Sequence, residues 1–271
     1  MLQLFAPPPD LADVVEAAVG LRCDAPRSTA RFPALPRAML TLQGPPHAPG
    51  TATSPQFHAL TTRPTVHHAD RPYAALGLVL HPAAAARLLG PVTGARVDVT
   101  LPWAVVAGDA EARRLDDALQ QSHDDVARVR ALLASVRRAL TCGPERPRLA
   151  RAESLQRLVT LVGRHGAQAA PLLGTSERQL ERRCRAWLAL SPKQLQRLVR
   201  FHGVLGHALR GRAPPRADDA LAAGYYDQSH LAREARQLAG TPLQGLLDAA
   251  HEGAAWWPLA TQRLQAAGLP G

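Results

Sequence analysis

The chain has 271 residues, 46% of them apolar and 20% charged, which excludes wholesale disorder and leaves room for two domains of ~100–200 residues each. Its net charge of +10, carried by arginine throughout except for Lys193, favours a polyanionic partner, although an arginine-rich composition accounts for part of it. Three scattered cysteines without a Cys-x-x-Cys pair exclude a disulfide framework and a zinc module and fit a reducing cytosol.

The N-terminus, Met1–Asp10, has no basic n-region or long apolar core, so no signal peptide is expected, and no run nears the ~20 apolar residues of a membrane span. Prolines crowd the first ~60 residues and forbid long helices there. Short strands are predicted at Ala38–Leu42, Thr65–His68 and Leu76–Leu80, each bounded by turn residues. His81-Pro82 before Ala83–Leu89 and Gly90 reads as a short helix with proline in its first turn and glycine past its end. His67, His68 and His81 could be metal ligands, but no acidic partner stands at diagnostic spacing, and adjacent strand residues point to opposite faces. No metal site and no cofactor are expected.

From about Asp109 the period becomes 3.6. Asp124 or Asp125 caps a helix whose stripe is Val126, Val129, Leu132, Leu133, Val136 and Leu140, either intradomain core or a dimer seam. The Gly- and Pro-containing stretch 141–147 breaks the pattern and marks a domain boundary. Up to residue 140 there are 14 arginines against 12 acids; beyond it there are 18 cations against 10 acids, so the basic excess belongs to the C-terminal half.

That half is read as helical. Gly174 closes one helix, and Ser176 with Gln179 forms a capping box for the next. On that second helix Leu180 and Cys184 face inward, while Arg178, Glu181, Arg182 and Arg185 face outward. A second unit follows at Asp218–Gly240: a short helix, Gly224 as turn, and Asp227 capping a helix that carries Gln228, Ser229 and Arg233. Between them Ser191-Pro192 opens a helix running to Leu209, ~27 Å at 1.5 Å per residue, near the ~34 Å repeat of DNA. Gln suits adenine and Arg suits guanine, each through two hydrogen bonds. No glycine-rich phosphate loop, Gly-x-Ser-x-Gly elbow or His-Glu-x-x-His helix occurs, so no enzyme is expected.

Two stretches, LGTSERQLERRCRAWLALSPKQL and GYYDQSHLAREARQLAGTPLQGLL, make residues 153–247 resemble the DNA-binding domain of AraC/XylS-family bacterial transcription regulators. The stretches HALTTRPTVHHADRPYAALGLVLHPAAAARLLG and VDVTLPWAV more weakly resemble the cupin-like sensory domains of one subgroup of that family. The likeness implies an α+β protein. Residues 1–142 would form a small β-barrel-like domain with flanking helices. Residues 148–250 would form an all-α domain of two helix-turn-helix units joined by a linker helix, and 251–271 a C-terminal extension. It further implies double-stranded DNA as partner, contacted by Arg178, Glu181, Arg182, Arg185, Gln228, Ser229 and Arg233. A small-molecule effector in the N-terminal domain, RNA polymerase and a second copy of the chain would be further partners, in the cytoplasm and away from membranes. Pro171 inside the first short helix, Glu181 on the DNA-facing side, and Cys184 and Ala235 in place of buried phenylalanines depart from the family pattern. They motivate the alternative of a degenerate paralogue acting as a protein-interaction module.

Overall fold

The computed structural model describes residues 2–45, 54–90, 96–141, 149–211 and 217–251. Residues 142–147 of the stretch expected to separate the domains, and the C-terminal extension beyond residue 251, fall outside them.

The N-terminal part is built on eight strands: β1 Leu2–Phe5, β2 Val15–Cys23, β3 Ser28–Phe32, β4 Ala38–Gly44, β5 Gln56–His58, β6 Thr65–Ala69, β7 Tyr73–Leu80 and β8 Thr100–Pro102. Six of them form an antiparallel sheet in the linear order β1-β2-β7-β4-β5-β8, while β3 and β6 pair separately. The predicted strands fall within β4, β6 and β7. The nine-residue β2 was not foreseen. The reason is that the sheet is covered on both faces, so its central strands carry no apolar–polar alternation. Ala18, Leu40 and Leu78 face the helices, while Ala17, Val19, Met39 and Val79 join Phe32 and Leu35 on the β3–β6 side.

Helix α1, Pro82–Leu89, follows β7 as predicted, with His81 at its N-cap and Gly90 at φ +70° after it. Then come α2 Trp103–Ala107, α3 Asp109–Gln120 and α4 Asp125–Thr141. Asp124 caps the last of these, its Oδ1 accepting from the Ala127 N–H at 2.7 Å. Val129, Leu132, Leu133 and Val136 are buried as core, whereas Val126, assigned to the same stripe, is exposed in the first turn. The α3–α4 pair closes over a polar chain. Trp103 Nε1 donates to Ser135 Oγ (2.9 Å), Ser135 donates to Glu111 (2.6 Å), and Arg138 grips both Glu111 oxygens at 2.9 Å. Burial alone would raise the Glu111 carboxyl, but the bonds from Arg138 and Ser135 outweigh it and hold it below the usual range.

The C-terminal part is helical: α5 Leu149–His165, α6 Ala169–Leu172, α7 Glu177–Leu188, α8 Pro192–Gly211, α9 Ala217–Ala222, α10 Gln228–Ala239 and α11 Leu243–His251. Helix α1 packs on α5 and touches α7, so one apolar core continues from Leu11 to Leu247. No helix among the described residues is long and apolar enough to cross a membrane.

Candidate nucleic-acid interface

Two helix–turn–helix units, α6–α7 and α9–α10, share one backbone pattern repeated 50 residues apart. In the first, Gly174 at φ +60° donates its N–H to the Pro171 carbonyl and Thr175 donates to Ala170, both at 3.1 Å. In the second, Gly224 at φ +81° donates to Leu221 and Tyr225 to Ala220, both at 2.9 Å. The long-looped bond from the residue after glycine is the Schellman closure, which needs a left-handed residue at the turn. Each turn delivers the chain to a capped helix. Ser176 Oγ accepts from Gln179 N–H at 3.3 Å and Gln179 Oε1 accepts from Ser176 N–H at 3.1 Å, the reciprocal box. Asp227 Oδ1 accepts from His230 N–H at 2.6 Å.

Each of the seven predicted contact residues lies on the second helix of its unit. Arg178, Arg182 and Arg185 are exposed on α7 at i, i+4 and i+7, one stripe of that helix. Glu181 is half-buried beside them and accepts from Arg185 Nε at 3.0 Å, so its charge is partly neutralised within the stripe. On α10, Gln228, Ser229 and Arg233 are exposed, with Arg236 continuing the line. The inward faces hold Leu180, Cys184 and Leu188 on α7 and Leu231, Ala235 and Leu238 on α10. Cys184 and Ala235 are fully buried, and burial pushes the Cys184 thiol up to about 12, far from a reactive thiolate. Pro171 is absorbed too: α6 is a single turn beginning at Ala169, where no intrahelical N–H is required.

Helix α8 carries both units, with α7 and α10 packed on it. Its 20 residues span ~30 Å, and its start is a second reciprocal box between Ser191 and Gln194 (2.9 and 3.1 Å). The joint to α10 is ionic. Glu234 is buried and receives Arg197 Nε at 2.9 Å, Arg200 Nη2 at 3.0 Å and the Tyr225 hydroxyl at 2.9 Å. The Arg200 guanidinium also lies 4.1 Å from the Tyr225 ring centre and donates to the Gly224 carbonyl at 3.1 Å. Burial opposes ionisation of Glu234, yet the three donors prevail and hold its carboxyl below the ordinary range. Sequence reasoning missed this network, although Glu234 stands on the stripe Leu231, Ala235, Leu238, a carboxylate where apolar residues belong.

In the N-terminal part, a cavity of about 1060 Å³ lies between the main sheet and the β3–β6 pair, with Phe32, Met39, Arg37, His58, Thr61 and Asp98 in its wall. Arg37 is paired with Glu16. His58 bonds Thr41 Oγ1 at 2.7 Å and Thr100 Oγ1 at 3.0 Å, and burial, helped by nearby His67, pushes it down to about 4. The three histidines weighed as ligands do not converge: His67 edges the Phe32 ring, His68 bonds Thr29, and His81 occupies the N-cap position of α1 without a side-chain cap bond. Among the described residues no group of three His, Cys, Asp or Glu side chains is arranged to hold a metal ion.

Residues 169–248 match a family model described as a helix-turn-helix domain. Among solved structures, the chain is similar to ToxT from Vibrio cholerae O395, 10% identical over 85% of this chain and 96% of that one, TM-score 0.45. A 1.65 Å structure of ToxT from Vibrio cholerae in a P21 form gives 10%, 85%, 97% and 0.46. The unsaturated fatty acid-bound wild-type ToxT of strain SCE256 gives 10%, 86%, 94% and 0.41. Among curated proteins, none matches this chain. The matched segment spans both repeated turns, both capped helices and the joint between them. Residues 169–248 thus form a helix-turn-helix domain.

Proposed function

We propose that the chain is a sequence-specific, non-enzymatic transcription regulator in which α7 and α10 read two successive major grooves of duplex DNA. The observation that carries this reading is the repeated Schellman turn. The same turn twice launches a capped helix whose outward side bears arginine and amide groups, and one shared helix carries both. Arg178, Arg182 and Arg185 with Glu181 serve the first groove, and Gln228, Ser229 and Arg233 the second. The basic excess of this half supplies the phosphate attraction, which carries no sequence information. Glu181, held against Arg185, would accept from a cytosine amino group. A small molecule in the 1060 Å³ cavity of the N-terminal part is the effector. The departures that motivated an interaction-only paralogue are accommodated by the fold, and that alternative gains no support from them.

Selection from a pool of random duplexes is the test. The expected result is a bipartite motif whose binding weakens steeply with salt. Arg178→Ala and Arg233→Ala should each cost about 1–3 kcal/mol on the selected site and relax preference in different halves of it. Enrichment of no motif at low salt, or full affinity in both variants, refutes the reading.

A further inference from the structure

The loop between β3 and β4 is unusual in its burial: Pro33, Ala34, Leu35 and Pro36 are all enclosed, where a connection normally lies on the surface. Leu35 is enclosed by the N-terminal sheet, whereas Ala34 faces the C-terminal half. The Ala34 N–H donates to the Leu238 carbonyl at 2.6 Å, and the Ala34 carbonyl accepts from His202 Nε2 at 2.6 Å. Both backbone groups of one residue are therefore spent across the domain boundary. The next residue is tied the other way. Leu35 N–H donates to Thr61 Oγ1 at 2.8 Å, and its carbonyl accepts from Thr61 N–H at 3.0 Å. Alongside, Pro64 lies against the end of α10, where a methyl group on Gly240 would meet Pro64 Cγ at 3.3 Å.

Leu238 is the penultimate residue of α10, and its carbonyl is one that the helix itself leaves without a partner. The N-terminal domain thus supplies a C-terminal cap to α10, as Asp227 supplies the N-terminal one. His202 completes the arrangement from α8. It is buried, and burial together with Arg37 pushes it down to about 3, so the ring is neutral and its proton sits on Nε2 facing Ala34. Its Nδ1 is buried without a hydrogen-bond partner. An apolar ring would fill the same space without that desolvation cost, so the Nε2–H donor is the reason for a histidine here. The clasp does not cover the outward face of α10: Gln228, Ser229 and Arg233 remain exposed with it in place.

We infer that Ala34 and His202 form a clasp that fixes the angle of α10 against the rest of the molecule, which makes His202 a positioning residue for reading the second groove. This rests on the DNA-reading assignment above.

The test uses the full chain, with the selected duplex and a duplex scrambled in the half read by α10. His202→Phe keeps the volume and loses the donor; His202→Gln keeps a side-chain N–H. The Phe variant should bind the intact duplex about tenfold more weakly, as α10 loses its fixed angle, while its affinity for the scrambled duplex stays within about twofold. The Gln variant should restore most of the loss. Amide exchange at Ala34 should accelerate in the Phe variant while that of the α5 core does not. Equal losses on both duplexes, failure of Gln to rescue, or an unchanged Ala34 amide each overturn the proposal. Should the Phe variant not fold, Pro64→Ala trims the neighbouring contact between the N-terminal part and the end of α10 at Gly240. It must then speed Ala34 exchange and weaken only the intact duplex, and no change in either sinks the idea. If the parent selects no duplex, the DNA-reading assignment falls, whereas the clasp itself still stands or falls on Ala34 exchange.

Discussion

The two helix-turn-helix units use one turn and two kinds of adhesive. In the first, α7 is set by a neutral reciprocal capping box and an apolar inner face, and its ion pair between Glu181 and Arg185 lies at the surface. In the second, α10 is set by a charged cap, a buried carboxylate gripped by two arginines and a tyrosine, and a cap from the N-terminal part of the chain. Surface pairs contribute little to stability, whereas breaking a buried pair leaves an uncompensated charge. The difference teaches that identical backbone geometry does not imply identical sensitivity. The second unit is the one whose position depends on charge.

The strongest way to break this contrast is to delete the two carboxylates. Glu234→Ala strands Arg197 and Arg200 and should cost about 3–5 kcal/mol in urea unfolding. Glu181→Ala should cost less than about 0.5 kcal/mol. Comparable losses would show that the two units are held alike.

Acid sharpens the contrast by separating groups in pH. The folded Glu234 carboxyl lies below its ordinary value, so its contribution is complete above about pH 4.5 and disappears as pH falls through the lowered value. His202 is depressed from 6.5 to about 3, so its burial is fully tolerated only above about pH 6.5, and stability erodes between there and pH 3. His58, pushed down to about 4, erodes it over a similar window. Stability measured from pH 7 to 5 should therefore fall in the parent and fall less in His202→Gln. Glu234→Gln should alter the slope only below about pH 4.5. A flat parent profile between pH 7 and 5 would contradict the buried, neutral state of both histidines.

The smallest effect concerns the caps. Ser176→Ala and Asp227→Ala should each cost about 1 kcal/mol at low salt. Because Asp227 also carries charge at a helix N-terminus, part of its effect should vanish in 1 M salt while that of Ser176 persists. Equal salt responses would mean that the cap chemistry does not distinguish the units.

How much of this was legible in the sequence follows from how local each feature is. The capping box at Ser176 and Gln179, the turn glycines at 174 and 224 and the cap at Asp227 involve neighbours within a few residues, and they lie where the sequence reading put them. So does the apolar stripe of α4, apart from Val126 at its solvent end. Strand β2 was illegible because covering both faces of a sheet erases the period of two. Glu111, Ser135 and Glu234 were hidden differently: each stands on an apolar stripe, but its partners come from other helices. The clasp was least visible of all, since Ala34 and His202 are 168 residues apart and neither residue type announces the other.

The double tie of Leu35 to Thr61 has a mechanical consequence. Phe32, Leu35 and Arg37 border the N-terminal cavity, and Ala34 sits among them bonded to Leu238 and His202. The wall of that chamber thus reaches the end of α10 through one peptide unit and one hydrogen bond, from the Ala34 N–H to the Leu238 carbonyl. That path is set by covalent geometry on one side and by a single 2.6 Å hydrogen bond on the other.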